Sequence, residues 1–295
     1  MSITHPLSVP LLPADAMTAL KMRTIVNELC AKNDCFSVST GADGEVILHS
    51  VGELELDMVV DSLRRRDGLD FKIGSPQIRY LERITRTIES DYTHKKQAGG
   101  QGEYAKVKIR LEPTEPGSGF QFENAVHKGT IPEAFIPAVK KGLETASETG
   151  VIAGFPVSDL KCTLLDGSYH DVDSSERTFE IAARACFREA LPKACPRLFE
   201  PMMIVMVLTP QDYLGEVIGD LNSRRGQVQG MEPRGPMQEI IAMVPLSNMF
   251  GFFLTLRSKT RAAVQCMMTY SHYEQVPPAI GPSDGTFPPA IGMRA

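Results

Sequence analysis

The sequence lacks the marks of several large protein classes. Its six cysteines include no C-x-x-C pair and are too sparse for a disulfide-stapled small domain, so we interpret them as reduced thiols. No uninterrupted apolar run is long enough to cross a bilayer, and the first residues show neither the basic nor the apolar region of a signal peptide. These absences predict a cytoplasmic protein that has no membrane partner.

Two further absences narrow the function. The formal net charge is −5, so no overall basic field draws the chain onto nucleic acid, and any RNA contact must come from local loops. The chain contains neither G-x-x-x-x-G-K-S/T nor a strand–G-x-G-x-x-G–helix, the fingerprints of nucleotide-binding folds. What remains is a chain of 295 residues, 42% of them hydrophobic, which is enough for two or three domains with real cores.

Apolar periodicity predicts the same order of elements at both ends of the chain. The first block should contain a strand at 7–9, a helix over 13–31, strands at 36–40 and 46–50, a helix over 52–66 and a strand at 71–73. The last block should contain a strand over 202–208, a helix over 214–223, strands at 227–231 and 238–244, a helix over 249–256 and a strand over 264–273. This order, βαββαβ, is that of a ferredoxin-like plait.

The middle block has a different pattern, with two polar loops. Its predicted elements are strands over 84–90, 105–111, 120–122 and 155–165, a helix from Pro137 to Thr149 ended by Gly150, and a helix to about Leu191. One polar loop, His94–Tyr104, is rich in glycine, and the other is Gly167–Glu176. We predict Asp173 as the N-cap of the last helix, because Glu176 three residues later completes a capping box.

Three stretches are candidate sites, and each also has a purely structural interpretation. The glycine-rich loop could bring its backbone and Lys95 and Lys96 close to RNA phosphates, or it could be a flexible hairpin tip. His170 could act with Asp173 in a small-molecule enzyme, but no metal ligands or activated nucleophile accompany it, and a solvated loop histidine also fits. Arg224 and Arg225 could clamp a phosphate or complement a helix dipole.

Five stretches, in this order, resemble the C-terminal half of bacterial elongation factor G. They are Val51–Asp57, His94–Tyr104, Gly167–Glu176, Gly215–Gly226 and Val244–Gly251. Five ordered signatures are far more specific than a lone motif, and the resemblance covers roughly residues 8–277. It implies domains III, IV and V of that family.

The resemblance implies an α+β fold, in which two ferredoxin-like plaits flank a domain similar to the second domain of ribosomal protein S5. We place the first plait at residues 1–83, the middle domain at 84–197 and the second plait at 198–277. Residues 278–295 are rich in proline and glycine and have no periodicity, so we expect a disordered tail.

The resemblance also implies a role in translocation of tRNA and mRNA, during which the family's domain IV reaches the decoding centre of the ribosome. The implied contacts with the tRNA–mRNA duplex are Gly99, Gly100 and Gln101 in one tip loop and His170, Asp171 and Val172 in the other. Arg224 and Arg225 are implied to face rRNA near the sarcin–ricin loop and the stalk base. The expected partners are the ribosome, tRNA and mRNA, and the expected state is a monomer.

The departures from the family limit what this chain can do. Without any GTPase signature, the chain is expected to have no catalytic residue, no metal site and no cofactor, since GTP and magnesium would bind only to the family's G domain. Residues Arg261–Val264 stand where the family usually has a glycine followed by Arg or Thr. Two alternatives stay open: a stand-alone ribosome-binding paralogue without the motor, and a fragment of a tetracycline-resistance-type ribosomal protection protein. The intact loop His170–Ser175 argues against the second.

Overall fold

The computed structural model describes residues 5–33, 35–41, 45–65, 67–98, 101–127 and 129–277. The chain divides into two compact units. One contains the residues up to Arg79 together with Glu200–Glu274, and the other is built mainly of Tyr80–Phe199. The predicted disordered tail, 278–295, lies outside the described residues, and the predicted domain bounds stay a prediction.

The first plait has the predicted order of elements. They are β1 (Leu7–Pro13), α1 (Ala16–Lys32), β2 (Phe36–Thr40), β3 (Val46–Ser50), α2 (Glu53–Arg65), β4 (Phe71–Ile73) and the short β5 (Gln77–Ile78). The antiparallel sheet has the order β2-β3-β1-β4, and β5 also pairs with β1. Asp15 caps α1, because its carboxylate accepts a hydrogen bond from the Thr18 backbone N–H at 2.8 Å.

His49, in β3, is expected to make the stability of the protein depend on pH. Burial, together with the nearby positive charges of Arg79 and His5, lowers the pKa of His49 from 6.5 to about 4. As the pH falls through 6.5 towards 4, the unfolded chain therefore binds a proton that the folded chain does not, and stability is lost. Since the ring is partly exposed, we expect a loss of about 2 kcal/mol between about pH 7.5 and 4.5 in urea denaturation.

The control for this prediction is His49→Gln, which cannot titrate but can still bond the Ser39 hydroxyl that lies 2.8 Å from His49 Nε2. The variant should lose that part of the pH dependence. Equal losses of stability in the wild-type and variant proteins over the same pH range would contradict the assignment to His49.

The middle unit is a four-stranded sheet with two helices packed on one face. Its elements are β6 (Leu81–Arg83), β7 (Ile88–Ala98), β8 (Gln101–Pro113), β9 (Phe120–Asn124), α3 (Ile136–Ser147), β10 (Leu160–Ser168) and α4 (Glu176–Ala190). The sheet has the order β7-β8-β10-β9, with β9 parallel to β10 and the other pairs antiparallel, and β6 lies outside this sheet. Alternate residues of β8, from Ala105 to Leu111, are fully buried in one cluster with Phe179 and Phe187 of α4.

Strand lengths in the middle unit differ from the prediction. The predicted glycine-rich loop, His94–Tyr104, is mostly strand, because β7 and β8 pair as far as Ala98 and Gln101. The apolar run from Phe155 enters the sheet only at Leu160. A two-stranded hairpin can be built from polar residues as well as from apolar ones. Because this stretch is polar and rich in glycine, the predicted strands were shorter than β7 and β8 are.

The start of α4 also differs from the prediction. Its N-cap is Ser175, not Asp173: the Ser175 hydroxyl accepts a hydrogen bond from the Thr178 backbone N–H at 3.2 Å. Asp173 lies two residues too early, and its backbone carbonyl accepts a hydrogen bond from Tyr104 instead. The capping box prediction is therefore wrong, and α4 begins at Glu176, two residues later than an N-cap at Asp173 would place it.

Glu82, in β6, is a fully buried carboxylate around which a loop is shaped. Its oxygens accept hydrogen bonds from the backbone N–H groups of four consecutive residues, 151–154, at 2.8 to 3.2 Å. Gly150 is not the residue that ends α3, since that helix stops at Ser147 and is capped by Glu148. A Cβ at Gly150 would lie 2.1 Å from Glu82 Cδ, so lack of space requires glycine here.

The second plait repeats the first, as predicted. Its elements are β11 (Arg197–Pro210), α5 (Leu214–Ser223), β12 (Gln227–Arg234), β13 (Met237–Pro245), α6 (Phe252–Lys259) and β14 (Gln265–Gln275). The sheet order β12-β13-β11-β14 places its four strands as in the first plait. The predicted α+β fold with two ferredoxin-like plaits is confirmed.

The departure at Arg261–Val264 coincides with an unusual backbone. Arg261 and Ala262, just after α6, have φ values of 51° and 62°, in the left-handed region that favours glycine. The Ala262 N–H closes the helix end by donating to the Arg257 carbonyl at 2.8 Å. A glycine in this stretch, as in the family pattern, would therefore relieve backbone strain.

All six cysteines are free thiols. Among the residues that the structure describes, no helix combines the length and apolar character needed to cross a membrane.

Candidate nucleic-acid interface

The two predicted tip loops lie at the same end of the middle sheet. β8 begins and β10 ends there, because the two strands are antiparallel and Ser168 pairs with Lys106. Gln101 is the first residue of β8, while Gly99 and Gly100 lie outside the described residues. The topology therefore brings the start of β8 next to the turn that follows β10.

The turn after β10 presents its three predicted residues to solvent. His170, Asp171 and Val172 are all exposed, with 60% of the His170 side chain accessible. The turn is closed by Ser174: its hydroxyl accepts a hydrogen bond from the His170 N–H at 2.9 Å, and its own N–H donates to the His170 carbonyl at 3.1 Å. The exposed side chains thus sit on a backbone that is fixed at its base.

The turn and the hairpin contact each other directly. The Ser174 hydroxyl donates to the Tyr104 carbonyl at 2.6 Å, and the Tyr104 N–H donates to the Asp173 carbonyl at 2.8 Å. The Tyr104 hydroxyl lies 2.9 Å from the Ser168 hydroxyl. Gly102 lies so close to the turn that a Cβ at this position would be 2.8 Å from Asp173 Cγ. The start of β8 and the turn after β10 therefore form one surface.

Away from the tip of the hairpin, most of the charged side chains form ion pairs with one another. Lys108 and Arg110 both bond Glu89, and Lys106 lies 3.4 Å from Asp91. Nearer the tip, His94 Nε2 lies 3.1 Å from Glu103 Oε2, and this hydrogen bond lowers the pKa of the Glu103 carboxyl. Lys95 and Lys96, by contrast, are exposed in this part of the hairpin. Positive charge available to phosphate is therefore concentrated near the tip.

The described residues around His170 are engaged in holding the backbone rather than arranged for catalysis. His170 Nδ1 lies 3.3 Å from Asp173 Oδ2, but the neighbouring hydroxyls are already used: Ser175 caps α4, and Ser174 holds the turn. Within the described part of the chain, no group of three or more His, Cys, Asp or Glu side chains could hold a metal ion. The arrangement favours hydrogen bonding to a ligand rather than nucleophilic chemistry.

Arg224 and Arg225, at the end of α5, both make internal ion pairs. Arg224 Nε donates to Asp220 at 2.8 Å, and its Nη1 donates to the Asn248 carbonyl at 2.6 Å. Arg225 forms a two-pronged pair with the buried Glu200, with contacts of 2.6 and 3.2 Å. The two guanidinium groups therefore organise the second plait, and neither is a free cation.

Sequence reasoning missed the structural role of Ser174 and Tyr104. Two serines, Ser174 and Ser175, stand next to each other just before α4. A helix has a single N-cap residue, so only one of the two hydroxyl groups can cap α4. The sequence therefore indicated that the other hydroxyl has a partner elsewhere. The partner, the Tyr104 carbonyl, is 70 residues away in sequence and could not be named before folding brought it close.

The chain is similar to known proteins in both sequence and structure. Residues 76–195 match the family model of elongation factor G, domain IV, and residues 197–282 match that of the elongation factor G C-terminus. A crystal structure of a Thermus thermophilus protein aligns with a TM-score of 0.70 and 33% identity, over 95% of this chain and 42% of that one.

Two curated relatives extend the comparison. Elongation factor G of Hyphomonas neptunium is 51% identical over 88% of this chain, and that of Rhodopseudomonas palustris is 52% identical over 87%. The chain spans 37% of the length of each of these relatives. Since the two family models match consecutive segments that together span the middle unit and the second plait, the chain belongs to the elongation factor G family.

Proposed function

We propose that this chain is the ribosome-binding part of an elongation factor G, whose complete form moves tRNA and mRNA through the ribosome in a GTP-dependent step. The observation that supports this most is the junction of two exposed loops at one end of a domain that matches domain IV. In this proposal the GTPase chemistry belongs to the G domain of the complete factor. The present chain contributes binding and needs no catalytic residue, metal or cofactor of its own.

The junction suits recognition of an RNA duplex by its shape. Side chains cannot enter the deep, narrow major groove of A-form RNA, so proteins contact ribose hydroxyls and phosphates across the shallow minor groove. His170 can donate or accept a hydrogen bond there, and the Asp171 carboxylate can accept one from a 2′-hydroxyl. In the hairpin, Gly99 and Gly100 would allow a close backbone approach, and Gln101 would add an amide. Such contacts along the minor groove of a codon–anticodon duplex would hold it in register while it moves.

The second plait is proposed to face rRNA at the end of α5. Because Arg224 and Arg225 already pair with carboxylates, any phosphate contact would use their remaining N–H donors rather than a free charge. The Arg225 side chain is 28% exposed, which leaves such an approach open. This role stays a proposal for both residues.

Co-sedimentation with ribosomes tests the proposal. Binding should weaken as salt rises, because phosphate contacts release counterions. Replacing Lys95 and Lys96 together by glutamine should reduce the slope of log affinity against log salt by about 1 to 2, since each phosphate contact contributes somewhat less than 1.

The matched control replaces Lys140 and Lys141, two adjacent exposed lysines of α3 that lie near Glu144 and Glu180. This pair of changes alters the net charge equally and should leave the slope unchanged. No co-sedimentation at low salt, or equal slopes for all three proteins, would contradict the proposed function.

A further inference from the structure

We propose that Ser174 is a positioning residue that joins β8 to the His170 turn, so that the described part of the hairpin and the turn meet RNA as one rigid surface. The proposal rests on the proposed function for its effect on ribosome binding. Its structural part, the coupling of the two loops, stands on the contacts alone and can be tested without the ribosome.

The Ser174 hydroxyl oxygen takes part in two hydrogen bonds of this connection. Ser174 Oγ accepts the His170 N–H within its own turn and donates its proton to the Tyr104 carbonyl in β8, at 2.9 and 2.6 Å. A hydroxyl is suited to this position because it donates one hydrogen bond and accepts others at the same time. Alanine would break both contacts and leave the Tyr104 carbonyl without its side-chain donor.

Two independent contacts show that the loops fit each other closely. The Tyr104 N–H donates to the Asp173 carbonyl, so both backbone groups of Tyr104 are bound by the turn. At Gly102 a Cβ would lie 2.8 to 3.0 Å from the carboxylate atoms of Asp173, so any side chain there would push this carboxylate out of its place. The close approach therefore depends on glycine in the hairpin and on the hydroxyl in the turn.

Ser175 provides a matched control within the same sequence. Ser175 directly follows Ser174 in the sequence. The Ser175 hydroxyl, however, contacts Thr178 inside α4 and not the hairpin. Ser175→Ala should therefore weaken the helix start and leave the connection between the loops intact. Ser174→Thr keeps a hydroxyl and should restore what Ser174→Ala loses.

Amide hydrogen exchange tests the coupling first. In Ser174→Ala, the amides of His170 and Tyr104 should both exchange about tenfold faster, as expected for the loss of one hydrogen bond. The Tyr104 amide is the informative one, since the Ser174 side chain does not touch it. Gly102→Ala, which removes no hydrogen bond, should accelerate the same two amides, whereas Ser175→Ala should accelerate only the first turn of α4. A Tyr104 amide unchanged in both Ser174→Ala and Gly102→Ala would overturn the proposal.

Ribosome co-sedimentation then tests the consequence. Ser174→Ala should bind about tenfold more weakly than Ser175→Ala and, combined with His170→Ala, should lose less than the sum of the single losses. Equal affinity of the Ser174→Ala and Ser175→Ala proteins would overturn the positioning role. If the wild-type chain does not bind ribosomes while exchange still shows coupled amides, the proposed function fails and the coupling of the loops stands.

Discussion

Replacement of Glu82 by glutamine is expected to lower the free energy of unfolding by about 3–5 kcal/mol, the cost of disrupting a buried hydrogen-bonded charge. Four backbone N–H groups converge on its carboxylate oxygens. A glutamine side chain replaces one of these oxygens by an NH₂ group, which would oppose N–H donors with further donors. Urea denaturation followed by circular dichroism measures the loss.

Glu89→Gln is the matched control, because it makes the same chemical change at a carboxylate paired with Lys108 and Arg110 on the exposed face of the sheet. Its expected loss is far smaller, because exposed ion pairs contribute little to stability. Gly150→Ala tests the same contacts by a change in the loop instead of in Glu82, since the added methyl group would displace the Glu82 carboxylate. If the Glu82 and Glu89 variants lost equal stability, the role assigned to the buried carboxylate would be wrong.

His170→Ala is expected to slow translocation by about tenfold or more when placed in the complete elongation factor, an effect equal to the loss of a well-placed hydrogen bond. The imidazole is 60% exposed on a turn held by backbone contacts, so its removal should leave the fold intact. Stopped-flow measurement of mRNA movement gives the rate. Urea denaturation should show a change in stability below about 0.5 kcal/mol.

The control for this variant is His127→Ala, because His127 is also an exposed histidine of the middle unit. The control variant should translocate at the wild-type rate. Normal translocation by His170→Ala, or equal slowing by both variants, would remove His170 from the proposed RNA contacts.

Local sequence patterns were sufficient to predict most of the fold. Alternation of apolar residues marks strands such as β8, where Ala105, Val107 and Ile109 are fully buried, and helical spacing marks α4, where Phe179 and Ala182 are. These patterns survive folding because each strand or helix must bury one face, whatever its partner is. Both plaits were predicted from periodicity, and the family resemblance pointed to the two loops.

Partners that are distant in sequence could not be predicted in this way. The acceptor of the Ser174 hydroxyl is 70 residues away, the donors to Glu82 follow it by 69 to 72 residues, and Glu200 meets Arg225 across 25 residues. Each is a buried or half-buried polar contact, and such groups must find a partner wherever the packed backbone offers one. Periodicity reports which face of an element is buried but carries no information about which distant group lies opposite. The elements therefore follow from the order of residues, whereas the joined loops, the buried carboxylate and the paired arginines arise only when the elements are packed together.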